Sequence, residues 1–274
     1  MKVLVTGAAG FLGHAMVQEL LDFGHSVRGL DVRRPTLEPH EQQAFADVQY
    51  VLGSVTEQRD CEQALEGVDC VIHCASYVNW RPGTEALLHK VNVDGTKTLF
   101  AACVATGVRR FVYTSSVDVV FSGTPITNGT EDSAAIPDKP FDAYSGTKAI
   151  AERFVLASNG VDGIATTVIR PVGMYGPRDP YHVGQVLAAA KSGKYVRLAP
   201  HATHSLTHSL THSLTRSSRQ VCGTLGRWFG RVPPRVRAQR GTRTASRCRG
   251  ARVSHVARRQ AGVLYHRLPC IELL

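Results

Sequence analysis

Apolar and polar positions along the first two hundred residues follow a fixed rhythm, in which short β-branched runs alternate with amphipathic segments of helix length. Lys2–Thr6 (KVLVT), Ser26–Asp31 (SVRGLD), Val48–Leu52, Cys70–Cys74 (CVIHC), Arg110–Thr114 (RFVYT) and Thr166–Arg170 (TTVIR) read as buried strands. Phe11–Phe23, Thr84–Thr106 and Tyr144–Ala157 read as helices between them. Any one of the short runs would also suit a turn of buried helix, but six of them in step with helices would not. Strand, helix, strand in this order predicts parallel βαβ units, and hence an α/β fold with a doubly wound parallel sheet.

A repeat breaks the rhythm. Thr203–Thr215 reads THSLTHSLTHSLT, and the chain after Thr215 is rich in Arg, free of Lys and nearly free of acid. The net charge of +10 is therefore an average over two unlike polymers. Residues 1–200 carry 18 Lys and Arg against 21 Asp and Glu, a net of −3, while residues 201–274 carry 14 Arg against Glu272 alone, a net of +13. A tetranucleotide repeat ACTC read in triplets gives Thr-His-Ser-Leu, so the protein period follows from the DNA period without selection. We expect a domain over residues 1–198, then a low-complexity, Arg-rich and disordered tail over 199–274 that stems from a retained intron, a frameshift or a gene-model error. As a helix the repeat would place His204, His208 and His212 on one face. Thr and Ser disfavour helix and no carboxylate stands nearby to orient the rings, so no metal site is expected. The Arg residues would neutralise phosphates without sequence preference, and no specific nucleic-acid partner is expected. The unpaired spacing of Cys61, Cys70, Cys74, Cys103, Cys222, Cys248 and Cys270 suggests a reduced, intracellular chain. No apolar run approaches the roughly 20 residues that span a bilayer.

The first strand runs into TGAAGFLG, which spaces Gly7, Gly10 and Gly13 as GxxGxxG before a helix. Such a turn lets backbone amides approach a pyrophosphate, with Phe11 and Leu12 opening the helix whose positive end faces it. Asp31 closes the second strand where a carboxylate would read the adenine ribose and repel a 2′-phosphate. NAD is thus the expected cofactor. Arg33 and Arg34 argue the other way, because guanidinium groups hold phosphate, and NADP stays open.

Tyr144-Ser145-Gly146-Thr147-Lys148 places a phenol and an ammonium four residues apart on one helical face. A free phenol titrates near pH 10, and a neighbouring cation favours its deprotonated form, as a base for an alcohol proton requires. Ser115 and Ser116 end the fifth strand at its carboxyl end, where ligands of doubly wound sheets bind; they could equally cap a turn. Asn92 reads as a holder of water or backbone, or as a solvated helix residue. His73 reads as a satisfied strand-end histidine. Tyr77 and Trp80 line an apolar cleft or pack on the domain.

The segments TGAAGFLG, VIHCAS, VNVDGT, VYTSS, YSGTK and IRPVGMYGPRD stand in the order and spacing of the extended short-chain dehydrogenase/reductases, which the chain resembles from Met1 to about Leu198. The stretch from Val112 to the Tyr–Lys pair most resembles the 3β-hydroxysteroid dehydrogenase group, sterol-4α-carboxylate 3-dehydrogenases included. The resemblance implies a Rossmann domain, incomplete at its C-terminal side. It implies hydride transfer between a nicotinamide and the 3β-hydroxyl or 3-keto group of a steroid or sterol, the expected small-molecule partner. Tyr144 would be the acid/base, Lys148 its partner and a ribose contact, and Ser116 the hydroxyl that orients substrate. Nucleotide-sugar epimerases and dihydroflavonol-type reductases share the branch, and a cofactor-binding sensor or scaffold is the non-catalytic alternative. The loss of the substrate region predicts weak activity for this chain. The resemblance also allows a homodimer, and a place in the cytoplasm or on the face of the endoplasmic reticulum. One departure stands out: Gly53-Ser54 replaces the family's usual Gly-Asp after the third strand.

Overall fold

The computed structural model describes residues 1–124, 126, 129–131, 133–180 and 191. The repeat and the Arg-rich stretch expected as a tail over 199–274 lie outside the described residues. Six strands, β1 (Lys2–Thr6), β2 (Ser26–Asp31), β3 (Gln49–Leu52), β4 (Cys70–His73), β5 (Arg110–Thr114) and β6 (Ala165–Ile169), form one sheet. Its order is β3-β2-β1-β4-β5-β6 and every pairing is parallel. The helices are α1 (Phe11–Asp22), α2 (Gln58–Leu65), α3 (Glu85–His89), α4 (Gly95–Thr106) and α5 (Ala143–Ala157). This is the doubly wound Rossmann arrangement, with the strand order reversing between β1 and β4.

Side chains alternate across each strand, and both faces are covered. Leu4, Leu30, Val71, Phe111, Tyr113 and Val168 pack with α2, α4 and α5 on one side. Val3, Val5, Ile72, Val112 and Ile169 pack with α1 and Phe45 on the other. Burial on two faces explains why these strands read as continuous apolar runs.

Two expectations need correction. The helix expected over Thr84–Thr106 is not continuous: a π-helical turn at Lys90–Asp94 separates α3 from α4. A hydrophobic pattern of helical period cannot register one inserted residue, and the insertion turns Asn92 inward, where it is 1 % exposed rather than solvated. In addition, α2 escapes the pattern, because its only apolar anchors are Cys61, Ala64 and Leu65 in an otherwise polar octet.

Candidate active site

The carboxyl ends of the strands surround a cleft of about 810 Å³, within the usual size of a cofactor pocket. Gly7, Gly10, Phe11, Leu12, Gly13, Asp31, Ser116, Tyr144 and Lys148, the nine positions expected from the sequence, all line it.

The glycine turn is built by close approach. Gly7 has φ +67°, and a Cβ there would lie 2.8 Å from the backbone of Ala75, where the chain leaves β4. A Cβ on Gly13 would sit 2.0 Å from the Gly7 carbonyl, so α1 abuts the turn only because Gly13 lacks a side chain. Gly10 ends the turn and opens α1, whose first residues face the cleft. Asp31, at the end of β2, accepts a hydrogen bond from the Ala9 amide (2.9 Å). That bond holds its carboxylate beside the turn. The Arg33 side chain folds back onto the Ala9 carbonyl (3.4 Å) at the same rim. A backbone cradle that side chains would fill, a helix N-terminus behind it and a carboxylate beside it fit a dinucleotide. Where the family's Gly-Asp would stand, the Ser54 amide donates to the carboxylate of Asp60 (2.8 Å), so an acid of α2 takes the place beside this turn.

The opposite wall comes from α5. Asp142 and Ser145 cap it reciprocally: the Asp142 carboxylate accepts from the Ser145 amide (2.7 Å), and the Ser145 hydroxyl accepts from the Asp142 amide (3.1 Å). The capping box fixes the first turn, and Tyr144 with it, against the cleft. Lys148 follows one turn later, 2 % exposed, and donates through Nζ to the Thr114 carbonyl (2.6 Å). Burial pulls the Lys148 ammonium down to about 7, against smaller upward effects of Cys74 and Glu152.

The two serines after β5 separate cleanly. Ser115 donates to Glu152 Oε2 (2.5 Å) in a buried network in which Arg170 clamps the same carboxylate through Nε (3.0 Å) and Nη2 (2.5 Å). Ser116 lines the cleft and caps the short 3₁₀ turn Val117–Val120, donating to the Asp118 carboxylate (3.0 Å) and accepting from its amide (3.2 Å). The capping and cleft-facing readings of Ser116 therefore hold together.

Around the site, residues for which the sequence left two readings open take one of them. Asn92 Oδ1 accepts from the Tyr77 amide (2.8 Å), while its Nδ2 donates to the Tyr77 carbonyl (3.0 Å) and to Thr147 Oγ1 (3.1 Å). It thereby locks the loop after β4 to α5, and Trp80 of that loop stands edge-on to Tyr144 with ring centroids 5.9 Å apart. His73 sits in a one-way relay. The Thr96 hydroxyl donates to the Asn92 carbonyl (2.7 Å), so its oxygen accepts from His73 Nε2 (3.0 Å), and His73 Nδ1 accepts from the Thr6 hydroxyl (2.6 Å). Full burial lowers the ring to about 3 and keeps it neutral, with Lys148 adding to the effect. His73 is a satisfied strand-end histidine. The one clue was a His in VIHCAS flanked by apolar residues.

The sequence profile of the 3-beta hydroxysteroid dehydrogenase/isomerase family matches residues 4–212. The chain belongs to this family. The match runs past Leu198, where the motifs alone ended it, and into the repeat. Among curated relatives, the chain is 41 % identical over 194 residues to the decarboxylating sterol-4-alpha-carboxylate 3-dehydrogenase of Bos taurus, covering 70 % of this chain and 52 % of that one. It is 42 % identical over 184 residues to a 3 beta-hydroxysteroid dehydrogenase/Delta 5→4-isomerase of Mycobacterium tuberculosis, covering 65 % and 48 %. This family member thus spans about half the length of the curated relatives it matches. Among solved structures, a short-chain dehydrogenase/reductase superfamily protein of Agrobacterium tumefaciens with bound NAD aligns at a TM-score of 0.57 and 28 % identity, over 71 % of this chain and 60 % of that one. The UDP-glucose 4-epimerase of Thermus thermophilus in complex with NAD aligns at 0.58 and 27 %, over 69 % and 60 %.

Proposed function

We propose that this protein is an NAD-dependent dehydrogenase of the 3β-hydroxysteroid type, acting on the 3β-hydroxyl or 3-keto group of a steroid or sterol. One observation carries the reading: the glycine cradle and the Tyr144–Lys148 pair line the same cleft from opposite sides. Gly7 and Gly10 shape the turn, their own amides donating to the carbonyls of Leu30 (2.8 Å) and Gly7 (2.9 Å), while Phe11, Leu12 and Gly13 at the start of α1 would present backbone amides to the pyrophosphate. Asp31 would take the adenine ribose, and Lys148 the nicotinamide ribose. When bound, the nicotinamide supplies the two-electron acceptor or donor. Tyr144 exchanges a proton with the substrate oxygen, taking it in oxidation and returning it in reduction. A protonated Lys148 favours the phenolate form of Tyr144 by proximity of charge. Ser116 donates a hydrogen bond to the same substrate oxygen and so fixes it beside the phenol. For that task its proton must leave Asp118.

The substrate end of the cleft supports a ring hydrocarbon over a sugar. Trp80, Phe121, Phe141 and Val172 are exposed and line the cleft, Trp80 stands edge-on to Tyr144, and Phe121 packs edge-on against Phe141 (ring centroids 4.9 Å apart).

The test separates binding from chemistry. NAD affinity is measured for the 1–274 chain and for Tyr144→Phe, followed by single turnover of a 3β-hydroxysteroid with protein in excess, read as reduced nicotinamide. The expected result is unchanged NAD affinity and a rate at least about 100-fold lower in the variant, the usual scale of a lost general base. Equal rates in both proteins would refute the role of Tyr144. Absence of NAD binding would refute the whole reading.

A further inference from the structure

Among the described residues, no carboxylate comes within salt-bridge distance of Lys148. Among the described residues, its Nζ makes one hydrogen bond, to the Thr114 carbonyl (2.6 Å). The other groups facing it are spoken for. From β4, His73 is neutral, and burial pushes the adjoining Cys74 thiol up to about 11, so both stay uncharged at neutral pH. On its own helix, Glu152 one turn further is engaged by Arg170 and Ser115 (2.5 Å to each), and Tyr144 faces the cleft. What remains is Tyr113. It comes from β5, is 1 % exposed, and presents its ring face to Lys148 Nζ at 4.3 Å from the centroid. The same ring packs in the core beneath α4 and α5, and the imidazole of His73 tilts against it, centroid to centroid 5.7 Å. The Tyr113 hydroxyl, beside Thr96, makes no hydrogen bond of normal geometry. The phenol oxygen therefore does not explain why an aromatic residue stands here. The ring face does, since its negative quadrupole attracts a cation most strongly where water is excluded.

We propose that Tyr113 is a positioning residue for the acid/base pair, its buried ring face holding the Lys148 ammonium against the Thr114 carbonyl and keeping it charged in the wall of the cleft. The part played by Lys148 in turnover rests on the function proposed above; the ring–ammonium contact does not. The ring acts through Lys148 and touches no substrate. It supplies in the apolar wall what a counter-ion would supply elsewhere, without adding a second charge beside the phenol.

The test is the titration midpoint of Lys148 in the full chain, followed by NMR of lysine side chains labelled with ¹³C at Cε. It compares the parent, Tyr113→Phe and Tyr113→Leu. Tyr113→Phe keeps the ring and is expected to hold the midpoint within a few tenths of a pH unit. Tyr113→Leu removes the quadrupole and is expected to lower it by about one unit, a tenfold loss of the charged form above the midpoint. A Leu variant that titrates like the parent, or a Phe variant that falls as far as Leu, would overturn the proposal. Should the Leu variant fail to fold, the parent itself decides. The Cε protons of Lys148 must show the upfield ring-current shift of a group above an aromatic face, and ordinary lysine shifts would overturn the proposal equally. NAD affinity measured on the same samples keeps the two readings apart, because a moved midpoint without NAD binding leaves the ring contact standing and the proposed function fallen.

Discussion

Lys148 is held in its folded position at a cost, and that cost has a pH signature. The unfolded chain keeps this ammonium protonated up to the ordinary lysine value of 10.5, while the folded chain releases the proton at about 7. Between those values the unfolded state binds more protons, so the contribution of this residue to stability improves as pH rises through the window. Its burden is complete below pH 7 and gone above 10.5. Lys148→Met is therefore expected to be more stable than the parent by a few kcal/mol at about pH 6, with the difference shrinking toward about pH 10. Urea unfolding at the two pH values measures it; a difference independent of pH would show that burial does not hold this proton off. At this scale the glycines, Asp31, Tyr144 and Lys148 are legible in the sequence, because fixed spacing after a strand or along a helix carries their placement. For His73 the sequence tells its place at a strand end but not its partners, Thr6 and Thr96. Tyr113 is not legible: it is one apolar-looking position in a strand, and only the helix packed over it supplies the ammonium it meets.

Between elements, the strongest link the pattern does not show is the one from α5 to β6. Glu152 stands four residues after Lys148, where a charged helix residue ordinarily faces water, yet it is fully buried and clamped by Arg170. The same carboxylate holds Ser115, so helix, strand and the turn that presents Ser116 share one group. Removing one partner leaves the other charge buried and uncompensated. Glu152→Gln is expected to lose about 3–5 kcal/mol of stability by urea unfolding, whereas the double change Glu152→Leu with Arg170→Met should fall well short of that loss. Equal losses in both would mean that packing, and not the stranded guanidinium, dominates. Strand positions were readable to within a residue, since burial on both faces writes an uninterrupted apolar run. The π-helical turn was not, because Val91 and Val93 fit a regular helix as well as they fit the bulge that delivers Asn92 to the loop after β4.

Across the whole molecule, the segment after β6 passes along the cleft with Pro171, Met174 and Pro180 in its wall, and between the last two it meets the stretch that follows β2. There Arg178, at a left-handed φ of +68°, donates to Glu41 (2.5 Å), which also accepts from His14 (2.9 Å) on α1. A side chain held in that backbone region stores strain of order 1–3 kcal/mol, which the ion pair and the contact to the Thr36 carbonyl offset. Arg178→Ala should raise the rate of limited proteolysis within residues 171–180 several-fold while global stability moves by about 1 kcal/mol or less. An unchanged cleavage rate would remove the clasp from consideration. Composition told the two charge regimes of the chain apart, but no local pattern announces that Arg178 meets Glu41, because their meeting depends on the sheet having closed.

The order in which that sheet can close is set by where its first strand lies. β1 leads the chain and sits at the centre, with Val3 beside Val27 on one flank and beside Cys70 on the other. A ribosome must therefore release some seventy residues before the central strand gains its second neighbour, and β5 waits for Ala165–Ile169 before its outer rim is covered. Throughout that interval the nascent chain displays an uncapped parallel edge, the feature that makes such topologies slow to fold and dependent on chaperones during synthesis.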